Sequence, residues 1–354
     1  MSVSLDLGVS GSESGFSTPQ AHLCVYTAGV LLIWYMAGLG LQHILLDTPP
    51  VASERAQNYI SQTLVRSKIL LAAFCMWKGF QIVTGRVRLP DRLVSRETLP
   101  AIVRTVGWIV FAGASFAALQ SAFMGIKTTI PAILPFAWDE MFRTVDLWVG
   151  LGRDPYLWLW PILRSPTLMG TIDMVYTLWI VLIIGAWMYA WAGRGVVSHV
   201  RHQYIIATLL TWSLLGNVAA ILLSSAGPAY YGAIVGDAEA YAPLMQHLQD
   251  LHASKPLGAV AFHDVLWDMY VNPATRMSGI SAMPSLHCAS SLLLLGLFWR
   301  WPIARVLLIG FNVVIYVGSI VLAWHYAIDG IVSAVLVLGI WKLAGVITSK
   351  LHAA

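Results

Sequence analysis

Two short segments of this chain place acid–base and nucleophilic residue types at spacings that helices convert into shared faces. In Trp324-His325-Tyr326-Ala327-Ile328-Asp329-Gly330, an imidazole and a carboxylate stand four residues apart. On a helix that separation puts both side chains on one face. The carboxylate can then orient the imidazole and stabilise its cation. An imidazole held in this way is a competent nucleophile or base. The second segment is Ser278-Gly279-Ile280-Ser281-Ala282-Met283-Pro284-Ser285-Leu286-His287, small and polar residues that enter an apolar stretch through a proline. Pro suits a first helical turn, and Ser residues there can cap free N–H groups. A helix start of that kind is a natural anion site. His287 is expected one turn in, facing the anion.

The elements that must position these groups are membrane helices. Of 354 residues, 58% are hydrophobic and 11% are charged, against about 25% charged in an ordinary soluble domain. No water-soluble fold of this length hides so much apolar surface. The formal charge of +4 arises from few acids and few bases, with no Lys/Arg run that would hold nucleic acid. Eight apolar segments have the length of a span, roughly 24–46, 68–85, 105–124, 170–192, 204–224, 284–301, 304–324 and 326–348. Lys78 and Gln81 make the second the weakest. Residues 126–169, with Trp138, Trp148, Trp158 and Trp160, read as helices lying in the interface, and 225–283 as the longest loop. The expected fold is therefore an all-α polytopic membrane bundle of about eight transmembrane helices around a six-helix core. Residues 1–20 read as a disordered tail, 21–125 as accessory helices and 126–354 as the catalytic membrane domain. Cys24, Cys75 and Cys288 read as small buried hydrophobes rather than a disulfide framework or zinc site.

Topology brings the two segments together. One helix leaves from residue 284 and the next returns to about 324, so His287 and the His325/Asp329 pair share one membrane face. A cytoplasmic N-terminus puts Arg86, Arg88, Arg92, Arg96 and Arg104, then Arg194 and Arg201, then Arg300 and Arg305 on the cytoplasmic side. By the positive-inside bias the candidate site then faces the extracytoplasmic side. Taken singly, a histidine near a membrane helix end is more often a packed interfacial residue. The joint occurrence of Pro-Ser-x-His and His-x3-Asp is what points to chemistry, because ionisable residues at membrane depth are functional candidates by default.

Pro284-Ser285-Leu286-His287 and His325-Tyr326-Ala327-Ile328-Asp329 resemble the second and third signature motifs of the type 2 phosphatidic acid phosphatase superfamily. The likeness is greatest to its inositol phosphorylceramide synthase-like (inositolphosphotransferase) branch. Ser224-Ser225-Ala226-Gly227-Pro228 with Tyr230 and Tyr231, and Arg153-Asp154-Pro155, add to it. The resemblance implies a metal-independent, cofactor-free enzyme acting on a membrane lipid phosphate, with water or a polar alcohol as acceptor. It implies that His325 takes the phosphoryl group, that Asp329 activates it, that His287 protonates the leaving oxygen and that Ser285 contacts phosphate. The superfamily's first motif, a Lys with an Arg-Pro seven residues later, is missing. The Ser-Arg pair of its third motif would fall on Gly318 and Ser319. Phosphate needs positive charge on its equatorial oxygens, so Arg276 leads as a substitute, followed by Lys255 and Arg153.

Two other functions would use the same residues. One is a transporter in which the His–Asp pair relays protons, although the broken helices and repeated halves of transporters are not evident. The other is a catalytically inactive relative. Asp173, one turn from Tyr176, is expected to pair with an Arg, with lining of the cavity as the alternative, and His263 to belong to loop structure. No feature assigns an oligomeric state.

Overall fold

In hydrocarbon every backbone N–H and C=O must be satisfied within the protein, which leaves helices as the solution for apolar segments such as these. A computed structural model describes residues 18–46, 99–192, 197–271 and 278–353. The expected span at 68–85, Arg86, Arg88, Arg92, Arg96, Arg194, Cys75 and Arg276 lie outside those residues.

The described residues form helices α1 (Thr18–Leu46), α2 (Leu99–Lys127), α3 (Asp139–Val149), α4 (Pro166–Ala192) and α5 (Ser198–Leu222). They continue with α6 (Ala242–Ser254), α7 (Gly258–Val271), α8 (Leu286–Phe298), α9 (Pro302–Val321) and α10 (Ala327–Ala353). Single-turn helices lie between them, and no strand occurs among the described residues. Helices α1, α2, α4, α5, α9 and α10 are long and apolar enough to cross a membrane. The chain is an all-α polytopic membrane bundle.

The structure departs from the sequence-based expectations at three points. The segment expected at 284–301 is helical only over 13 residues, about 20 Å of rise, short of a full span. The stretch 225–283 is not an extended loop, because it holds α6 and α7. Helix α1 begins at Thr18, inside the stretch read as a tail.

Short α8 is the centre of the bundle, packed by α4, α5, α9 and α10. Ala289, Ser290 and Ser291 are buried on it, and small residues of this kind let neighbouring helices approach closely. Non-helical backbone leading into a membrane helix is tolerated only where protein satisfies it. The segment before α8 meets that demand bond by bond. The Ser278 N–H donates to the Thr128 carbonyl (3.3 Å), and the Ile280 N–H to Ser278 Oγ (3.1 Å). The Ala282 N–H donates to the Ser225 carbonyl (2.9 Å), and the Met283 N–H to Ser225 Oγ (3.1 Å). The Met283–Pro284 bond is cis, and the helix cap is Ser285, whose Oγ accepts the Cys288 N–H. Pro284 thus precedes the cap instead of occupying the first turn, and His287 is the second helical residue.

Helices α1 and α2 pack as a close pair and α2 continues onto α4 and α5. A Cβ added to Gly38 would meet the Gly125 backbone at 3.3 Å, so the two helices touch through glycines. Trp34 Nε1 on α1 donates to Asn217 Oδ1 on α5 (2.9 Å). The middle of α5, Thr211–Ala219, winds as a π-helix, and Asn217 lies in that stretch.

Candidate active site

The turn from α9 to α10 carries the first half of the site. The Trp324 and His325 N–H groups both donate to the Ser319 carbonyl at 3.0 Å, which folds the chain back sharply. Ala323 adopts a left-handed φ of 59° to make the turn. His325 Nδ1 lies 3.2 Å from Asp329 Oδ2, and the same oxygen accepts the Tyr326 N–H at 3.1 Å. His325 is 6% exposed and Asp329 is fully buried. Among the described residues Asp329 Oδ1 has no hydrogen-bond partner.

Helix α3, expected as an interfacial element, is an amphipathic brace for this corner. Asp139 and Asp146 are seven residues apart, two turns along one helical face, and both are buried. Asp146 accepts the Ala327 N–H (2.7 Å) and the Ile328 N–H (2.8 Å) with its two oxygens. These are free donors in the first turn of α10, the helix that carries Asp329. Asp139 accepts the Ala226 and Gly227 N–H groups and the Tyr326 hydroxyl (2.7 Å). Burial pushes the Asp146 carboxyl up to about 7, and the two backbone N–H bonds pull it back down. Asp139 is likewise raised by burial.

The Ser224–Pro228 run is what Asp139 holds. Gly227 has φ 92°, and a Cβ there would sit 2.9 Å from the Trp324 carbonyl and 3.0 Å from Ala282. Only glycine both adopts that φ and lets this connector wedge between the two histidine-bearing segments. Neither carboxylate nor the glycine contact could be read from spacing, since their partners lie up to 187 residues away in sequence.

His287 completes the site from α8. Its ring centroid lies 6.2 Å from that of His325, at an interplanar angle of 65°. Tyr176 on α4 stacks on His287 (4.4 Å, 23°), and Trp179 lies against it at 4.2 Å. Sequence spacing placed Tyr176 beside Asp173 but not against His287. Gly318 admits this aromatic wall, because a Cβ there would come within 3.1 Å of the Tyr176 ring. The Tyr176 hydroxyl and Trp179 Nε1 are buried without partners among the described residues. Tyr176 stacked on the ring and Trp179 tilted against it fix the plane of the imidazole.

The remaining sequence candidates are dispersed. Ser285 is buried as the α8 cap. Lys255 is exposed at the end of α6, where its Nζ would touch a Cβ on Gly170. Arg153 is exposed, with its guanidinium 5.5 Å from the Trp158 ring. Arg276 lies outside the described residues. Among the described residues Asp173 pairs with no Arg. It accepts the Gly258 and Ala259 N–H groups (2.8 and 2.9 Å), capping the start of α7. His263 is buried against Trp324 at 4.1 Å with both ring nitrogens unpartnered, and burial pushes it down to about 3. Among the described residues no group of three His, Cys, Asp or Glu side chains is arranged to hold a metal ion.

The brace makes one prediction. Asp146→Ala strands two N–H donors at the start of α10, a loss comparable to removing a helix cap, about 0.5–2 kcal/mol. The melting temperature in detergent should fall and any turnover should fall with it. Asp146→Asn keeps one acceptor oxygen but sets its NH2 against the other N–H donor, so it should recover only part of both. Equal melting temperatures for wild type and Asp146→Ala would show that the two bonds do not hold this corner.

In comparisons with known proteins, a family model described as the PAP2 superfamily matches residues 141–343, more than half of the chain. That region contains His287, His325 and Asp329. No curated protein and no solved structure matches the chain.

Proposed function

Since the chain belongs to the PAP2 superfamily, we propose that it is an integral-membrane phosphatase or phosphotransferase that attacks a lipid phosphate with His325. One observation supports this reading above the others: a buried His–Asp pair and a second imidazole 6.2 Å from it meet at one end of a membrane bundle.

With Nδ1 directed at Asp329, Nε2 is the nitrogen available to phosphorus. In this reading its lone pair forms the N–P bond while the bond from phosphorus to the lipid oxygen breaks. That oxygen takes a proton from the His287 imidazolium. Asp329 steadies the positive charge that builds on His325. In the second half an acceptor hydroxyl gives its proton to the now neutral His287. Its oxygen bonds to phosphorus, the N–P bond breaks, and His325 is restored. Water as acceptor releases phosphate, whereas a polar alcohol carries the phosphoryl group away as its phosphate ester. Gly318 and Ser319, standing where the superfamily's third motif carries Ser-Arg, favour the head-group transferase, the inositol phosphorylceramide synthase-like side of the family. The positive-inside bias of the loops puts the site on the extracytoplasmic side.

The test is turnover of a lipid phosphate carrying radioactive phosphorus by the purified chain in detergent, with and without a polyol such as inositol. Label appearing as free phosphate identifies a phosphatase. Label appearing in the polyol's phosphate ester only when the polyol is present identifies a transferase. Label remaining in the starting lipid under both conditions, with a folded protein, removes the reading.

A further inference from the structure

A phosphoryl group that loses its water shell inside a bundle needs positive charge on its non-bridging oxygens. The two imidazoles cannot supply it throughout, because one carries the phosphoryl group and the other changes protonation state. Three described cations are engaged elsewhere. Arg143 is paired with Asp154 and Asp237, Arg201 donates to the Ala190 carbonyl, and Arg305 lies over Trp299.

Lys127 differs from these. It is the last residue of α2 and has no carboxylate partner among the described residues. The backbone around it is fastened on three sides. Gln42 Nε2 on α1 donates to the Gly125 carbonyl (3.0 Å). Asn217 Nδ2, from the π-helical stretch of α5, donates to the Phe123 carbonyl (3.1 Å). The Ser278 N–H, at the head of the segment that enters α8, donates to the Thr128 carbonyl (3.3 Å).

A continuous run of rings connects this helix end to the site. The Lys127 ammonium lies 5.7 Å from the Phe123 ring. Phe123 meets Trp212 at 5.1 Å, Trp212 stacks on Trp179 at 6.3 Å, and Trp179 touches His287. Phe123 and Leu286, the neighbour of His287, close on the same glycine, Gly216.

We propose that Lys127 is the charge-compensating residue of the phosphoryl subsite, delivered beside His287 by a helix that lies outside the family-matched region. The ligand class is a phosphate ester or its free-phosphate equivalent, bound by its non-bridging oxygens. The proposal rests on the phosphoryl-transfer reading. It gives α1 and α2 a function, because they hold a cation at the mouth of a site whose imidazoles come from α8 and the α9–α10 turn.

The experiment uses the full chain in detergent, with orthovanadate and a short-chain phosphatidic acid as probes. Lys127→Met should weaken vanadate inhibition and kcat/KM on the lipid alike, by roughly ten- to a hundredfold, the range for losing a charge-assisted hydrogen bond. Lys127→Arg, which keeps the charge, should stay within several-fold of wild type. A lysine that only steadies the C-terminal end of α2 would lower the melting temperature and leave vanadate inhibition of the folded protein unchanged. Wild-type vanadate inhibition in Lys127→Met therefore overturns the proposal. A defect on the lipid that spares vanadate also overturns it, because the lysine would then contact some other part of the lipid. If Lys127→Met does not fold, Lys127→Gln replaces it under the same criteria. A wild-type chain that neither binds vanadate nor turns over the lipid would instead remove the phosphoryl-transfer reading itself.

Discussion

His325→Ala is expected to abolish turnover and to leave no acid-labile phosphate on the protein. Nδ1 is engaged by Asp329, so Nε2 is the nitrogen that remains to attack, and no other imidazole can take its place. His287 is held between Tyr176 and Trp179, and without Asp329 beside it lacks the activating carboxylate. The fold should tolerate the change, because the backbone N–H of residue 325 keeps its bond to the Ser319 carbonyl. His287→Ala makes the contrasting case. It removes the proton donor to the leaving oxygen, a loss of about 10²–10⁴-fold for general acid catalysis. It should be far milder with an activated p-nitrophenyl ester, which needs no proton on departure. Rapid quenching under alkaline conditions, followed by mapping of the label, checks both variants. Label or turnover persisting in His325→Ala would end the assignment of the nucleophile.

What the residues disclosed beforehand follows the range of each interaction. His325 and Asp329 are four apart and stay within one turn-and-helix unit, so spacing alone foretold their contact. His287 was placed at the same end because chain crossings can be counted without knowing any contact. Asp139, Asp146, Gly227 and Tyr176 escaped because their roles exist only after helices meet. A carboxylate that caps another helix looks, in sequence, like any charge on an amphipathic turn. Asp173 is a further example: its two backbone N–H partners, at the start of α7, lie 85 and 86 residues away in sequence. The length of α8 was misjudged for a related reason. Hydropathy counts apolar residues from Pro284 onward, but the entry segment is satisfied by Ser225 and Thr128 in extended form, so the helix starts late.

Phosphate-binding cations are hard to read from sequence for the same reason. Arg276, Lys255 and Arg153 were favoured because they stand in polar connections on the expected side of the membrane. Two of them are solvent-exposed, one of these at the end of α6 and the other beside α3. Lys127 falls at the start of the stretch read as interfacial helices, whereas the structure places it inside the apolar span Val106–Ile133. A charged residue in such a stretch carries a desolvation cost that only a partner, a water-lined opening or an anionic ligand offsets. The absence of a carboxylate partner for it among the described residues is therefore informative.

Asp329→Ala is expected to lower kcat by about 10⁴-fold, and Asp329→Asn by about 10²–10³-fold, on the scale of triad carboxylate replacements. The two variants separate orientation from charge. Asp329 Oδ2 accepts from both His325 Nδ1 and the Tyr326 N–H. An asparagine must therefore keep its oxygen at that position, since turning the amide would set its NH2 against the Tyr326 N–H. The imidazole then keeps its tautomer, with Nε2 free, and loses only the negative charge that stabilises the developing cation. The amide NH2 falls where Oδ1 now sits unpartnered, an unsatisfied donor that costs stability. Alanine removes orientation and charge together. The His325 ring is then unanchored and two donors lose their acceptor. The rate of phosphohistidine formation, followed by rapid quench, measures the difference, and detergent melting temperatures separate it from unfolding. Near-wild-type rates in both variants would mean that the carboxylate only shapes the turn. Equal, severe losses in folded protein would mean that charge outweighs orientation at this buried pair.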